Sequence, residues 1–156
     1  MAVDLFPKLK ELTLKHPDKG ILSFIANGVI KMWSPVVLIV PPAGEKLPRV
    51  GTTTTTNDPL VIGIAAGGSG DVANGNAADE AGDVVDVIPI HSAAITKVRV
   101  NTSTVDIGSY LVTGATATQA DFIADTTDTR VHVLGKSFQD AQTAADVLLI
   151  FMGGSM

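Results

Sequence analysis

The segment Leu60-Val-Ile-Gly-Ile-Ala-Ala66 follows the threonine run Thr52–Thr56 and precedes Gly82-Asp-Val-Val-Asp-Val-Ile88. The same order returns near the C-terminus. Arg130-Val-His-Val-Leu-Gly-Lys-Ser137 follows Asp125-Thr-Thr-Asp-Thr129 and precedes Asp146-Val-Leu-Leu-Ile-Phe151. Each copy reads as a strand, a polar turn, an apolar strand with a central glycine, a loop and a final apolar strand. A unit of this kind cannot bury its own apolar face. Two copies therefore predict a mainly β chain, a small β-barrel with an internal strand-turn-strand duplication.

Working outward, Val36-Val-Leu-Ile-Val40 is a β-branched run stopped by Pro41-Pro42, and Pro41–Pro48 reads as a loop. The five threonines favour extended backbone and end at Asn57-Asp58-Pro59, which predicts a strand running into a turn. Gly67–Gly82 is rich in glycine, alanine and acids and predicts a mobile loop extending from the barrel. Val84–Ile90 is a strand with Pro89 near its edge. Ala94–Val100 sets Ile95, Lys97 and Arg99 against Thr96, Val98 and Val100, the alternation of a half-buried strand. Asn101–Thr104 is a turn, and Ile107–Thr113, Ala120–Ala124 and Val147–Met152 are further strands. Phe138–Ala144 is a loop or one helical turn.

Residues 1–33 read differently from the body at 34–156. Leu5, Phe6, Leu9 and Leu12 fall near helical spacing, and Pro7 suits an early helical turn, so an N-terminal arm with a short amphipathic helix is expected. His16-Pro-Asp-Lys-Gly20 is a turn. Ile21–Met32 fits either a second short helix or an extended strand. The lone Trp33 stands at the junction, as a core anchor or as an interface anchor. Leu5, Phe6, Leu9, Leu12 and Trp33 are the candidate interface residues.

A chain of 156 residues supports one domain with an attached arm. With 46% apolar and only 17% charged residues it is too apolar for disorder, and part of the excess suits burial between subunits. The net charge of −5 divides into +3 for residues 1–49 and −8 for residues 50–156. An acidic body argues against direct nucleic-acid binding, which needs clustered lysine and arginine. With no cysteine, disulfides, thiolate metal sites and thiol nucleophiles are excluded together. The N-terminus lacks the pattern of a secretory signal and the apolar runs are short of a membrane span, so a soluble chain with no membrane partner is expected.

The residues that could carry chemistry do not form a constellation. His16, His91 and His132 lack a second ligand at metal spacing. Ser103, Ser109 and Ser137 lack a nucleophile elbow. Gly67-Gly-Ser-Gly70 leads into Asp71, a negative charge where a phosphate loop needs lysine. The acids Asp79, Glu80, Asp83 and Asp86, and Asp125 with Asp128, do not match a calcium loop and read as solvated acids and Asx turns. No catalytic residue, cofactor or metal is expected.

The phrases Pro59-Leu-Val-Ile-Gly-Ile-Ala-Ala66, Ala81-Gly-Asp-Val-Val-Asp-Val-Ile88, Thr96-Lys-Val-Arg-Val100, Val105-Asp-Ile-Gly-Ser-Tyr-Leu-Val-Thr113 and Val133-Leu-Gly-Lys-Ser137 span most of residues 50–152. In these the body resembles the small β-barrel decoration, or cement, proteins on the capsids of tailed bacteriophages and related viruses. The resemblance implies a non-enzymatic homotrimer on the capsid exterior of a virion assembled in the host cytoplasm. There it would clamp major capsid protein subunits at three-fold or quasi-three-fold positions. The loop Gly67–Gly82 and the arm depart from that pattern, so no family contact residues are carried over. Two other readings fit a trimeric β chain: a tail or spike module, and a small barrel enzyme or ligand carrier with Asp86, Asp106 or His91 converging on an interface pocket.

Overall fold

The computed structural model describes residues 21–90, 92, 94–100, 105–115, 122–125, 133–142 and 147–152. Among the described residues the chain is mainly β, with several sheets, none of which closes into the expected β-barrel. The first sheet contains β1 (Leu22–Ile25), β3 (Pro35–Ile39), β4 (Arg49–Gly51), β5 (Val61–Gly68) and β7 (Val84–Pro89) in the order β1-β7-β5-β3-β4. The second contains β8 (Ala94–Arg99), β9 (Tyr110–Thr113), β10 (Phe122–Asp125), β11 (Gly135–Ser137) and β12 (Val147–Met152) in the order β8-β12-β11-β9-β10. Numbered within its own sheet, each follows first-fifth-fourth-second-third, with every neighbouring pair antiparallel. The strand-turn-strand duplication read from the sequence thus extends to five strands, giving repeats over Leu22–Pro89 and Ala94–Met152.

The glycines that marked the echo occupy one ladder position. Gly63 on β5 lies opposite Val36 on β3, and Gly135 on β11 lies opposite Leu111 on β9. On the other side, a Cβ on Gly63 would collide with the Ile88 carbonyl oxygen, and one on Gly135 with the Phe151 carbonyl oxygen. In both repeats the residue after the glycine, Ile64 or Lys136, pairs with the residue owning that carbonyl. Glycine is required because the fourth and fifth strands approach too closely for a side chain.

Two apolar clusters form the core. One gathers Ala26, Ile30, Met32, Val36, Val50, Ala65, Val85 and Val87 within the first repeat. The other joins Val37, Val61 and Ile64 of the first repeat to Val98, Leu111, Leu134, Ile150 and Met152 of the second. Val36 and Val37 serve opposite clusters because consecutive strand residues face opposite ways. Burial on both faces is why β3 is written as an unbroken apolar run.

At the far side of the first repeat, Asn27 N–H donates to the Val50 carbonyl (2.8 Å), and Ala26 forms a single parallel bridge with Val50. The two edges of that sheet therefore touch without forming a continuous ladder. Val100, directly after β8, is the corresponding buried bridge residue of the second repeat.

Several expectations need correction. Residues 22–33, assigned to the arm, carry β1 and the two-residue β2 (Ile30–Lys31), so Ile21–Met32 takes the extended alternative. The loop after Gly67 is no free extension. It holds a short 3-10 turn at Val72–Asn74 and β6 (Asn76–Ala78), whose Ala77 and Ala78 are fully buried and which pairs with β2. The Lys31 ammonium donates to the Asn76 side chain at 2.7 Å, adding a polar clasp. The threonine run is not a strand, since β4 stops at Gly51. The helix expected around Leu5–Leu12 lies outside the described residues.

Candidate functional site

Of the expected interface residues, Leu5, Phe6, Leu9 and Leu12 lie outside the described residues, while Trp33 is half-buried. Its backbone has φ of 64°, an uncommon left-handed conformation for a bulky residue. Two bonds hold it there: Trp33 N–H donates to the Ala65 carbonyl (2.8 Å), and Arg99 N–H donates to the Trp33 carbonyl (2.9 Å). The ring packs beside the first cluster and Lys97 lies over it, 5.5 Å from its centroid. Trp33 therefore ties the two repeats of one chain together.

A second tie was signalled by Asn57-Asp58-Pro59 but read only as a turn. The Asp58 carboxylate accepts from the Thr53 hydroxyl and from Leu60 N–H (2.9 Å). Asp58 N–H donates to the Thr113 hydroxyl (2.7 Å), which donates in turn to the Thr55 carbonyl (2.9 Å). Asn57 N–H reaches the Thr113 carbonyl at 3.1 Å. Thr53, Asp58 and Thr113 are all buried, so the Thr53 hydroxyl braces Asp58 within the β4–β5 loop while the Thr113 hydroxyl and carbonyl of β9 fasten that loop through Asp58 N–H, Asn57 N–H and the Thr55 carbonyl.

The groups considered for chemistry are turned to local structure wherever they are described. His16, His91, His132, Ser103 and Asp128 lie outside the described residues, and Asp125 is the last residue of β10. The Ser137 hydroxyl donates to the Gln139 carbonyl (2.5 Å) and accepts Gln139 N–H (3.2 Å), shaping the turn after β11. Ser109 N–H donates to the Asp106 carbonyl within an exposed turn. In the glycine-rich stretch, Ser69 N–H donates to the Val84 carbonyl and Gly70 N–H to the Ala77 carbonyl, so these donors are engaged by the hairpin itself. Asp86 accepts the Ser23 hydroxyl at 2.7 Å. Among the described residues no group of three or more histidine, cysteine, aspartate or glutamate side chains could hold a metal ion.

The loop acids act as caps. Asp71 accepts Asn74 N–H, Asp79 accepts Asp71 N–H (2.8 Å), and Asp83 accepts Asp79 N–H (2.8 Å) and Glu80 N–H (3.3 Å). The Asp79 N–H is the main reason the Asp83 carboxyl titrates below its ordinary range, opposed by desolvation and aided by Glu80 N–H and Ser69. A lowered folded-state value means that this brace is complete above the unfolded-state value and disappears as pH falls through the folded one. The protection of the Asp79 and Glu80 amides, taken relative to their intrinsic exchange rates, should therefore fall only below the ordinary carboxylate range. In Asp83→Asn that acid-dependent step should vanish. An unchanged step in the variant would assign it to another group.

Several large apolar side chains also remain outward. A groove of about 280 Å³ is lined by Ser23, Phe24 and Ile25 of β1, Leu47 and Pro48 of the β3–β4 loop, and Val84. Arg49 braces that loop with a two-pronged bond to Glu45, Nε to Oε2 at 2.9 Å and Nη2 to Oε1 at 2.5 Å. In the second repeat exposed Phe138 stacks on Phe151 with centroids 6.4 Å apart, and exposed Ile107 sits in the nearby turn. Ile95 also faces outward on β8. Single exposed apolar residues are common, but a lined groove beside a sheet edge has the form of a contact surface.

These features define a β-rich scaffold of two joined repeats with outward apolar contact surfaces. No known family model and no curated protein matches the chain. Among the described residues no helix is long and apolar enough to cross a membrane.

Proposed function

We propose that the chain is a non-enzymatic capsid decoration, or cement, protein. It forms a homotrimer on the outside of an icosahedral viral shell and clamps neighbouring major capsid subunits at three-fold or quasi-three-fold positions. One observation carries the reading: a five-stranded antiparallel unit occurs twice around a shared core, its described loop acids and hydroxyls turned to bracing while apolar residues remain outside. A clamp needs rigidity and contact area rather than a reacting group.

The first repeat is read as a small barrel because its two edge strands approach where Ala26 bridges Val50, and the second is read the same way from its matching strand order. The N-terminal arm, with Leu5, Phe6, Leu9 and Leu12, is read as the extension that reaches the shell or an adjacent trimer. Three arms per trimer would multiply modest individual contacts.

Deleting residues 1–20 tests the arm, and the cut stops there because β1 begins at Leu22 and pairs with β7. The shortened chain should keep its β circular dichroism and bind shells on the order of a hundredfold more weakly in co-sedimentation. Unchanged occupancy would remove the arm from the clamp.

A further inference from the structure

The apolar groove of the first repeat lies where the undescribed N-terminal segment joins the fold. Leu22, Ile25 and Leu47 at or beside it remain 39%, 41% and 78% exposed, and three of its six lining residues belong to β1. Residues 1–20 lead directly into that strand. His16-Pro-Asp-Lys-Gly20, read as a turn, would reverse the chain just before β1 and send the preceding residues back alongside it. The eight residues between Leu12 and Ile21 span up to about 27 Å when extended, which makes the neighbouring groove an easy reach.

Charge points the same way. Residues 5–12, Leu-Phe-Pro-Lys-Leu-Lys-Glu-Leu, carry two cations against the single acid Glu11 among four large apolar residues. Next to the groove-lining Val84 is Asp83, and Asp86 on the same strand bonds Ser23 of the groove wall. The segment thus offers apolar side chains for the floor and ammonium groups for an acidic flank.

We propose that in the free protein residues 5–12 of each chain lie in that chain's own groove, with Phe6 and Leu9 against Phe24, Ile25 and Leu47. The seat keeps the apolar stripe from water and from other copies until a larger surface competes for it. It is a property of the free chain, so it stands or falls separately from the capsid reading.

The absence of native cysteine makes the test direct. The full-length protein carrying Leu9→Cys and Leu47→Cys is treated, without shells, with a short thiol-to-thiol crosslinker and compared with a Leu9→Cys and Ile107→Cys control, whose second site is an exposed turn of the other repeat. Intrachain crosslinking of the groove pair should be on the order of tenfold faster than the control, since docking adds to the local concentration that tethering alone supplies. Adding Ile25→Asp should abolish the excess. Equal rates for the two pairs would overturn the proposal. So would a covalent dimer as the main product, which would place a second copy's arm in the groove, or an excess that survives Ile25→Asp.

Discussion

Gly63→Ala and Gly135→Ala are each expected to destabilise the chain by about 3 kcal/mol or more, near the upper end of what overpacking costs. At both positions the added methyl would meet a backbone carbonyl oxygen, of Ile88 or of Phe151, rather than the movable end of a side chain. Relief requires the fourth and fifth strands of the repeat to separate, and both repeats use that pair to bring an apolar strand onto the core. The comparison with Gly28→Ala is informative because a Cβ there meets nothing within 4 Å, so that change should stay within about 0.5 kcal/mol. Urea unfolding of the three variants measures the difference. Similar losses at Gly63 and Gly135 are what structural equivalence of the repeats demands. A tolerated alanine at either would break it.

The joint between the repeats gives the second large effect. Asp58→Ala leaves the Thr53 hydroxyl and Leu60 N–H without their acceptor, and should cost about 2–4 kcal/mol because hydrogen bonds to a charged group are the stronger kind. Thr113→Val keeps the shape but strands Asp58 N–H and the Thr55 carbonyl, for about 2–3 kcal/mol. Since the two residues share one network, their losses should not add, and the double variant should show a coupling of about 1 kcal/mol or more. Strict additivity in denaturant unfolding would mean that loop and second sheet hold independently.

The duplication was legible in the sequence only where geometry constrains both copies alike. Gly63 and Gly135 are forced by the same close approach, and the apolar strands β7 and β12 by burial, so their text is similar. The equivalence of the first three strands of each repeat is not legible because their sequences answer to different surroundings. β3 is buried on both faces and reads Pro-Val-Val-Leu-Ile, whereas β9 reads Tyr-Leu-Val-Thr and spends Thr113 on the joint. β6 carries no readable period, being three small residues, Asn76-Ala77-Ala78, inside a glycine-rich stretch. The threonine run is not legible as a loop because β propensity says nothing about a Thr53 hydroxyl that braces Asp58 or a Thr55 carbonyl that accepts from Thr113. Leu47 and Pro48 looked like ordinary loop residues, and only the approach of β1 makes them a groove wall. The expected interface rested on an apolar stripe before residue 20, while Trp33 is placed by its backbone partners Ala65 and Arg99 as an internal tie.

The central claim is that function lies on surfaces between copies rather than in a reacting site. Its most direct test is to measure the molar mass of the purified chain and then its co-sedimentation with empty shells of the virus it is proposed to decorate. The account predicts a trimer that saturates the shells at three chains per three-fold or quasi-three-fold position. A monomer that stays in the supernatant would contradict it.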